Sequence, residues 1–531
     1  MLGDRHGQPP DGYGKLYNRV ANIGQAQWRV EMPMKTSCFK VLAATVLLAT
    51  LFSGPHALLA RAGEAEKPFG KINHFIVIYG ENLSFDGIFG AFPGADGLGD
   101  ASAIAPQRDN DGQIFTVLPP VRMAERKSNG ADVYLEKAPK NAPFSIEDHF
   151  EKGKATGDLV HRFYQEQEQI AGGANDRFAA VSDAGGLVMG TYHDENLRLW
   201  GLAREFALLD HFHHAAFGGS FLNHFWLVCA CTPEYKQALL QAPEVPCGLD
   251  ANGQPKLIPK RVVCLDPATG FLARRPKSPA SAMQGPPEWV NNGQVTPDGF
   301  AINTLQPPYL PFAAEPQLPP QIAPTIGDLL TNAGTSWAWY SGGWNAASAG
   351  DIKPYAPPEN FQPHHQPFNY FASFAPGTPQ RAHLKDESDF LADIKNGTLP
   401  AVSFWKPVGR DTMHPGYTDL WSGDKHIGDV IDLIRQSPAW NDTAIIITMD
   451  ENGGTWDHVA PPKIDRWGPG VRVPTVLISP YARRGFIDHT IYDTTAILKT
   501  IEVRFGLAAL GTRDAASADL RAAFDFNAPA P

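Results

Sequence analysis

Cysteine, basic residues and long apolar runs are all scarce in this sequence. Its 531 residues include five cysteines, and 45 lysines and arginines stand against 56 aspartates and glutamates, a formal net charge of −11. No lysine- or arginine-rich block interrupts this acidic balance, so the composition argues against non-specific binding to nucleic acid or to an anionic lipid surface. Apolar residues, in contrast, make up 43% of the chain, which is enough for a large core.

The apolar run near the N-terminus, Val41–Phe52, is too short for a comfortable membrane span. Lys35 and Lys40 precede it, and the small residues of Ser53–Pro55 follow it. A short basic region, an apolar run of this length and small residues after it are typical of a secretory signal peptide. We therefore expect residues 1–62 to be an N-terminal extension with a signal peptide, and the protein to be periplasmic or secreted with no stable membrane span after cleavage. An uncleaved anchor is the alternative.

Export would permit disulfide bonds. Apart from Cys38 in the signal segment, the chain has four cysteines, which allow three pairings: Cys229, Cys231, Cys247 and Cys264. We expect Cys247 to pair with Cys264. The C-x-C spacing at 229–231 also occurs in metal and redox motifs, but no second cluster of thiols or imidazoles accompanies it in the sequence.

Apolar, β-branched runs alternate with helix-like segments through the body of the chain. The predicted strands are His74–Gly80, Thr335–Tyr340, Ala401–Trp405, Ala444–Met449 and Thr475–Ser479. The segment His426–Arg435 has its isoleucines and valine at helical spacing, which predicts a helix. This alternation predicts an α/β fold with a doubly wound, mostly parallel sheet.

Composition divides the chain into three parts. Residues 63–505 form the predicted catalytic domain, and 506–531 an alanine- and aspartate-rich C-terminal tail. Within the domain, residues 233–324 are dense in proline, glycine and asparagine. We interpret them as a loop-rich insertion that covers or walls a site.

Two acidic dipeptides follow two of the predicted strands. Glu81-Asn82 comes after the strand at 74–80, and Asp450-Glu451 comes after the strand at 444–449. Ligands of open α/β sheets bind beyond the carboxyl ends of the strands. Two clusters of hard oxygen ligands at two such ends therefore predict one site for a divalent cation. Either dipeptide alone would be more typical of a solvated turn.

Ser220 follows two glycines at the start of a predicted helix, 220–228. Glycines allow the backbone to approach a ligand closely, and a helix N-terminus offers free N–H groups to a phosphate. Ser220 is therefore a candidate nucleophile. The alternative, that it merely caps the helix, is equally compatible with the local sequence.

Several histidines lie close to predicted strand ends or to these motifs. His161 lies in a predicted helix at 158–165, His414 follows the strand at 401–405, and His458 shares a loop with Asp450-Glu451. The pair His364-His365 opens an aromatic stretch. Three further histidines near Ser220 are interpreted as structural: His211, His213 and His214.

Two longer motifs carry a family resemblance. The segment 80–90, GENLSFDGIFG, resembles the E-N-x-S-F-D-x-x-F-G signature of the bacterial phosphoesterases that include phospholipases C and acid phosphatases, and 450–459, DENGGTWDHV, resembles their second signature. Leu83 stands where the family often has arginine. Segments 157–170, 216–229 and 363–371 resemble the acid phosphatase branch. The resemblance extends from about residue 71 to 505 and implies an alkaline-phosphatase-like fold.

The resemblance also implies roles for individual residues. One divalent metal ion of unspecified identity would be held by Glu81, Asn82, Ser220, Asp450 and Glu451. Ser220 would also be the nucleophile that forms a phosphoserine intermediate with a phosphate-ester substrate. The phosphate pocket would be lined by His161, His365 and His414, with His364 and His458 as further candidates.

Three functions remain open at this point. The leading one is a secreted acid phosphatase acting on monoesters, for which an acidic optimum is expected because free imidazole is protonated below ~6.5. The second is a phospholipase C that uses the same centre on a phosphodiester. The third is a non-catalytic surface-binding protein with a structural cation, against which the intact serine and acidic pairs argue. The oligomeric state is not predicted.

Overall fold

The strand His74–Gly80 lies in the middle of the main sheet because its side chains are apolar on both faces. All but its first residue are buried. It pairs in parallel with Val402–Lys406 on one side and with Thr443–Met449 on the other. The computed structural model describes residues 69–99, 104–311, 313–314 and 316–527. Residues 65–531 form one compact unit. The predicted signal peptide lies outside the described residues.

The strands are listed here in chain order. They are β1 His74–Gly80, β2 Arg122–Arg126, β3 Asp132–Tyr134, β4 Phe144–Ser145, β5 Gly190–Thr191, β6 Ala207–Leu209, β7 Phe212–His213, β8 Glu244–Leu249, β9 Pro255–Pro259, β10 Trp337–Ser341, β11 Leu384–Asp386, β12 Val402–Lys406, β13 Thr443–Met449, β14 Thr475–Ile478, β15 Phe486–Asp488 and β16 Tyr492–Asp493.

The α-helices follow the same order. They are α1 Phe85–Phe89, α2 Phe163–Ile170, α3 Phe178–Val181, α4 Arg198–Glu205, α5 Ser220–Cys229, α6 Ile326–Asn332, α7 Trp344–Ser348, α8 Glu387–Asn396, α9 Leu420–Arg435, α10 Thr495–Phe505 and α11 Thr512–Ala516.

Eight strands form the main sheet in the order β11-β10-β12-β1-β13-β14-β6-β15. The five strands from β11 to β13 are parallel. Strand β14 is antiparallel to both of its neighbours, and β15 is parallel to β6. The predicted mostly parallel α/β sheet is therefore confirmed. The carboxyl ends of β12, β1 and β13 lie side by side at one edge, which is where ligands bind in such sheets.

The five predicted strands are all present within two residues of their predicted bounds. Each is a run of buried, mostly apolar residues. The sequence reasoning missed three strands of the same sheet, β6, β11 and β15, which have three residues each. Runs this short carry little periodicity, so their pairing depends on the neighbours that the fold supplies.

The predicted helix at 426–435 is confirmed as the second half of α9. Its buried stripe includes Ile427, Ile431 and Ile434, and the helix begins earlier, where the side chain of Asp419 accepts a hydrogen bond from the Ser422 N–H. The predicted helix at 158–165 is wrong in its bounds. Helix α2 begins only at Phe163, because residues 158–162 are in neither a helix nor a strand and its N-cap, Arg162, is extended.

Much of the segment 233–324 lacks helices and long strands. It contains the β8–β9 hairpin and short 3₁₀ turns at 236–240 and 282–284. Cys247 on the hairpin is bonded to Cys264, as predicted, and Cys229 is bonded to Cys231 at the end of α5. The second bond removes both C-x-C thiols from consideration as metal ligands.

The described part of the C-terminal segment packs against the domain. After α11, Leu520 and Ala523 are fully buried. Within the described residues, no helix combines the length and apolar character needed to cross a membrane.

Candidate active site

The two acidic dipeptides meet because their strands are neighbours in the sheet. Gly80 at the end of β1 is in register with Met449 at the end of β13, so Glu81-Asn82 and Asp450-Glu451 continue side by side. All four side chains are fully buried. The predicted convergence of the two pairs is thus what the structure shows.

A lysine that the sequence reasoning missed lies between them. Lys406 is the last residue of β12, on the other side of β1, and is fully buried. Its Nζ is 3.0 Å from Oε1 of Glu81 and 3.3 Å from Oδ2 of Asp450. The ammonium group therefore joins the ends of three adjacent strands.

The chemistry of this donor set fits a bound cation. Oε2 of Glu81 and both amide atoms of Asn82 have no hydrogen-bond partner, whereas Oε1 of Glu81 faces Lys406 and His365. Buried polar atoms are normally satisfied, so the three atoms without a partner point to a ligand. Ser220 Oγ donates a hydrogen bond to Oε1 of Glu451 at 3.3 Å, which brings the hydroxyl to the same group of oxygens.

Burial makes these carboxylates difficult to ionise without a positive neighbour. It raises the pKa of Asp450 to about 6, although Lys406 opposes the shift, and it also raises the pKa of Glu451. Glu81 differs: despite burial, His365 and Lys406 hold its pKa well below the usual range. A divalent cation would favour the charged form of all three.

Ser220 is the first residue of α5, and Gly219 is its N-cap. The alternative that Ser220 caps the helix is therefore wrong, because its side chain faces Glu451 instead of the helix backbone. The approach to the helix requires both glycines. Gly218 has φ +87°, and a Cβ on Gly219 would lie 2.9 Å from the carbonyl oxygen of His161.

Glu166 on α2 fixes the position of the loop that contains Gly218 and Gly219. Its Oε2 accepts a hydrogen bond from the N–H of Gly218 at 2.5 Å, and its Oε1 lies 2.9 Å from Nε2 of His214. Both side chains are buried. His214, which the sequence analysis interpreted as structural, contacts the loop through Glu166.

Three of the predicted histidines surround the centre. Nε2 of His365 is 2.5 Å from Oε1 of Glu81, and Nε2 of His161 is 3.7 Å from Oε1 of Glu451. The rings of His161 and His414 are 5.7 Å apart. Helix α2 starts after His161, so this residue reaches the centre from the loop that precedes the helix.

A cavity of about 480 Å³ opens onto these groups. The predicted residues that line it are Glu81, His161, Ser220, His364, His365 and His414. Residues of the segment 233–324, among them Trp289, Asn292 and Asn303, form part of its wall. Tyr417 stacks on His414 with ring centroids 3.8 Å apart.

The structure does not bring His458 to this cavity. Its Nδ1 is 2.7 Å from Oδ2 of Asp86 and its Nε2 is 3.2 Å from Oδ1 of Asp96. Asp86 and Asp457 lie within reach of a metal together with His458, but both already pair with the buried guanidinium of Arg472. The guanidinium of Arg472 therefore already balances the negative charge of Asp86 and Asp457.

Two other groupings of possible ligands occur among the described residues. Asp158, His161 and His414 form one at the cavity, and a second, distant one contains Asp210, His211 and His489. These hard ligands and the orphaned atoms at Glu81-Asn82 point to metal dependence.

The pKa values of two of the three cavity histidines do not agree with the expected acidic optimum. Burial lowers the pKa of His365 to about 4 and also lowers that of His414. His161 behaves in the opposite way: burial alone would lower its pKa, but the carboxylates of Glu451 and Asp158 raise it to about 9. The ordinary pKa of free imidazole therefore does not describe this site.

A further histidine, His224, was not predicted. It lies one turn after Ser220 on α5, its Nδ1 is 2.7 Å from the Ser220 carbonyl oxygen, and its ring stacks on His365. The four-residue spacing from Ser220, which puts both residues on one face of the helix, was the sequence feature that could have indicated His224. No sequence feature indicated Lys406, because a lysine at a strand end is ordinarily solvated.

A profile of the phosphoesterase family matches residues 72–508. The chain belongs to the phosphoesterase family. This confirms the family predicted from the motifs at 80–90 and 450–459, both of which contribute directly to the centre.

Several curated relatives are phospholipases C by name. Phospholipase C B of Mycobacterium tuberculosis is 36% identical over 169 residues, which cover 27% of this chain and 32% of the relative. Phospholipase C A of the same organism is 25% identical over 509 residues, covering 88% of this chain and 80% of the relative. Non-specific phospholipase C6 of Arabidopsis thaliana is 32% identical over 161 residues, or 24% of this chain and 30% of the relative.

Among solved structures, the chain is similar to a protein in the alkaline phosphatase superfamily from Vibrio parahaemolyticus. The identity is 12% and the TM-score is 0.31, with 62% of this chain and 65% of that chain covered. A score of this size carries no argument by itself. The α/β class follows from the sheet described above.

Proposed function

We propose that this protein is a phosphoric ester hydrolase in which Ser220 is the nucleophile. The observation that carries the proposal is the position of Ser220 Oγ, at the floor of the cavity and hydrogen-bonded to Glu451 in a centre of buried, partly unsatisfied ligands. Family membership supports the same class of chemistry.

One divalent cation would be held by Glu81, Asn82, Ser220, Asp450 and Glu451. When bound, such an ion supplies Lewis acidity that lowers the pKa of the serine hydroxyl and offsets the charge of the phosphoryl group. Ser220 Oγ gives its proton to Glu451, which already accepts its hydrogen bond, and forms a bond to phosphorus while the bond from phosphorus to the leaving alcohol oxygen breaks. The leaving oxygen takes a proton from an imidazole of the cavity. Water then cleaves the phosphoserine and gives a proton to that imidazole, while Glu451 returns the first proton to Ser220 Oγ.

The three histidines have different proposed roles because they contact different groups. His161 contacts both Glu451 and the glycine loop, so it is beside the nucleophile and is the best placed proton donor. His365 fixes the carboxylate of Glu81. His414, stacked on Tyr417, lies on the cavity wall, and its Nδ1 donates to the Pro415 carbonyl. Its Nε2 is therefore the nitrogen left for the phosphate oxygens, to which it donates when the bound phosphate holds the ring protonated.

We further propose that the substrate is a phospholipid phosphodiester, which makes the protein a phospholipase C. The relatives' names support this choice over the acid phosphatase. A second observation is that the hairpin of the segment 233–324 exposes apolar side chains, with Leu249 at 69% and Leu257 at 52%. The Cys247–Cys264 bond connects this hairpin to the cavity wall, since the N–H of Cys264 donates to the Asn291 carbonyl.

Trapping the intermediate tests the nucleophile. Rapid acid quench with phosphorus-labelled phosphatidylcholine is expected to leave label on the peptide that contains Ser220. Ser220→Ala is expected to abolish both labelling and turnover while retaining the fold. Ser403→Ala, at another buried serine, is the matched control. A Ser220→Ala protein that keeps more than about a tenth of wild-type kcat, a loss below ~1.4 kcal/mol in barrier, would contradict the assignment.

A comparison of substrates tests the class. Hydrolysis of phosphatidylcholine in vesicles should exceed hydrolysis of an aryl phosphate monoester. The pair Leu249→Ser and Leu257→Ser should slow cleavage of vesicles but not of a soluble short-chain phosphodiester. Ile352→Ser, which alters an exposed apolar residue outside the segment, is the control. Faster cleavage of the monoester would favour the acid phosphatase.

A further inference from the structure

Lys406 is an interior lysine whose polar contacts are concentrated at the metal-ligand candidates. Its side chain is fully buried, and Nζ lies 3.0 Å from Glu81 Oε1 and 3.3 Å from Asp450 Oδ2. Nζ also donates a hydrogen bond to the Gly80 carbonyl at 3.2 Å and lies 5.3 Å from the ring centroid of Tyr79. These contacts fix the ammonium group between β1 and β13.

The cost of burying a lysine shows why these contacts matter. An ammonium ion removed from water loses several kcal/mol of hydration unless opposite charge and good geometry replace it. The opposite charge here comes from Glu81 and Asp450, which would repel each other without Lys406. Lys406 and the two carboxylates therefore offset one another's charge in the interior.

Charge balance at the centre follows from this arrangement. Glu81, Asp450 and Glu451 contribute three negative charges when ionised, and Lys406 contributes one positive charge. His161, 3.7 Å from Glu451, adds a second positive charge when it is protonated. With Lys406 present, one divalent cation therefore brings the centre to neutrality or to a single positive charge, and a second divalent ion would leave the buried centre strongly positive.

We propose that Lys406 is a permanent second cation of the centre, which restricts it to one divalent ion and holds Glu81 and Asp450 in place before that ion binds. The first half of the proposal rests on the proposed function. In two-metal hydrolases the ions lie about 3.5–4 Å apart and share carboxylates. An ammonium ion in contact with both carboxylates uses the oxygens that a second metal ion would need.

The test replaces the charge and keeps the length of the side chain. Lys406→Met is neutral and of similar size. Lys385→Met is the matched control, because Lys385 is also on a strand of the main sheet and also pairs with an aspartate, Asp393, at 3.0 Å, but at a partly exposed position. Each full-length protein is stripped with a chelator, loaded with Mn²⁺ and dialysed, and bound manganese per chain is measured by elemental analysis. Melting temperatures are recorded before and after loading.

The wild type and Lys385→Met are expected to bind one ion each, and Lys406→Met two. In chelator, Lys406→Met should melt several degrees below Lys385→Met, and manganese should remove most of that difference. A Lys406→Met protein that binds one ion would overturn the restriction to a single ion. Equal melting temperatures in chelator would overturn the role in holding the carboxylates.

A charge-balanced double variant covers the case in which Lys406→Met does not fold. Lys406→Met with Asp450→Asn removes one charge of each sign, so it should fold and bind one ion. Recovery of folding by the second substitution supports the proposal. Failure of both proteins to fold, with and without manganese, would show that Lys406 acts through packing and would overturn it. A wild type that binds no ion would refute the metal centre, whereas the melting temperatures in chelator would still decide whether Lys406 holds the carboxylates.

Discussion

Nε2 of His214 lies 2.9 Å from Oε1 of Glu166, and both side chains are buried. The other oxygen of Glu166 accepts the N–H of Gly218, two residues before Ser220. This pair therefore links helix α2 to the loop that positions the candidate nucleophile. Neither side chain lines the cavity or belongs to the proposed ligand set, so apart from the charge interaction between His214 and Glu451 the pair acts on the nucleophile through the loop.

Glu166→Ala should lower kcat by about tenfold or more, because it frees the Gly218 N–H and loosens the loop, and such a loss corresponds to ~1.4 kcal/mol. Glu166→Gln retains an acceptor for Gly218 and should keep most of kcat, while losing stability through the unpaired His214. Steady-state kinetics and thermal melts on both variants separate the two effects. Glu168→Ala, on the same helix but paired with Arg274, is the control. Equal kcat in both Glu166 variants would count against a positioning role.

Asp450→Asn should reduce bound metal and activity together, because it removes a hard anionic ligand while the remaining carboxylates stay in place. Elemental analysis of the dialysed protein and kcat on the same preparation provide the measurement. Asp429→Asn, at an exposed position on α9, should change neither quantity. Unchanged metal content together with preserved activity would exclude a ligand role for Asp450.

His414→Ala should lower kcat by about 10²–10⁴-fold if its imidazole contacts the reacting phosphate. Its ring is stacked on Tyr417, so a purely structural role would affect both residues alike. Tyr417→Ala removes the stacking partner and keeps the imidazole, and it should lower the melting temperature more than kcat. Similar kinetic losses in the two variants, or a melting temperature that falls while kcat is intact in His414→Ala, would contradict direct contact.

The stability of the wild type should fall between about pH 6.5 and 9 because of His458. Burial alone would lower the pKa of this histidine, but Asp86 and Asp457 raise it to about 9. The folded protein thus holds the proton more tightly than the unfolded chain, whose histidine titrates near ~6.5. The stabilisation is complete below the unfolded pKa and is lost as pH rises through the folded one.

His458→Gln should remove the part of this slope that His458 contributes, about 1–3 kcal/mol, and should leave the part due to His161, whose pKa neighbouring carboxylates also raise to about 9. Chemical denaturation at several pH values between 6 and 10 gives the free energy of unfolding of each protein. His193→Gln, at an exposed histidine, should retain the wild-type slope. The same slope in His458→Gln as in the wild type would assign the pH dependence to other groups.

The local sequence determined the long strands, the acidic pairs that follow two of them, and the glycine-rich approach to Ser220. The five long strands are buried apolar runs, and His74–Gly80 and Thr443–Met449 end directly at acidic pairs. Because parallel strands bring their carboxyl ends to one edge, the fold class placed Glu81 and Asp450 at the same edge of the sheet. The glycines before Ser220 likewise indicated where a backbone must come close to other groups.

Only the tertiary structure decided which residues complete the centre. His458 is seven residues from Glu451 in the chain, yet Asp86 and Asp96 draw it away from the cavity. Lys406 has no local feature that marks it, and it is placed in the centre because β12 happens to be the neighbour of β1. Burial and the charges around a group, which depend on elements distant in sequence, also set the opposite pKa shifts of His161 and His365. Strand order and burial are properties of the folded chain, so no local pattern could supply them.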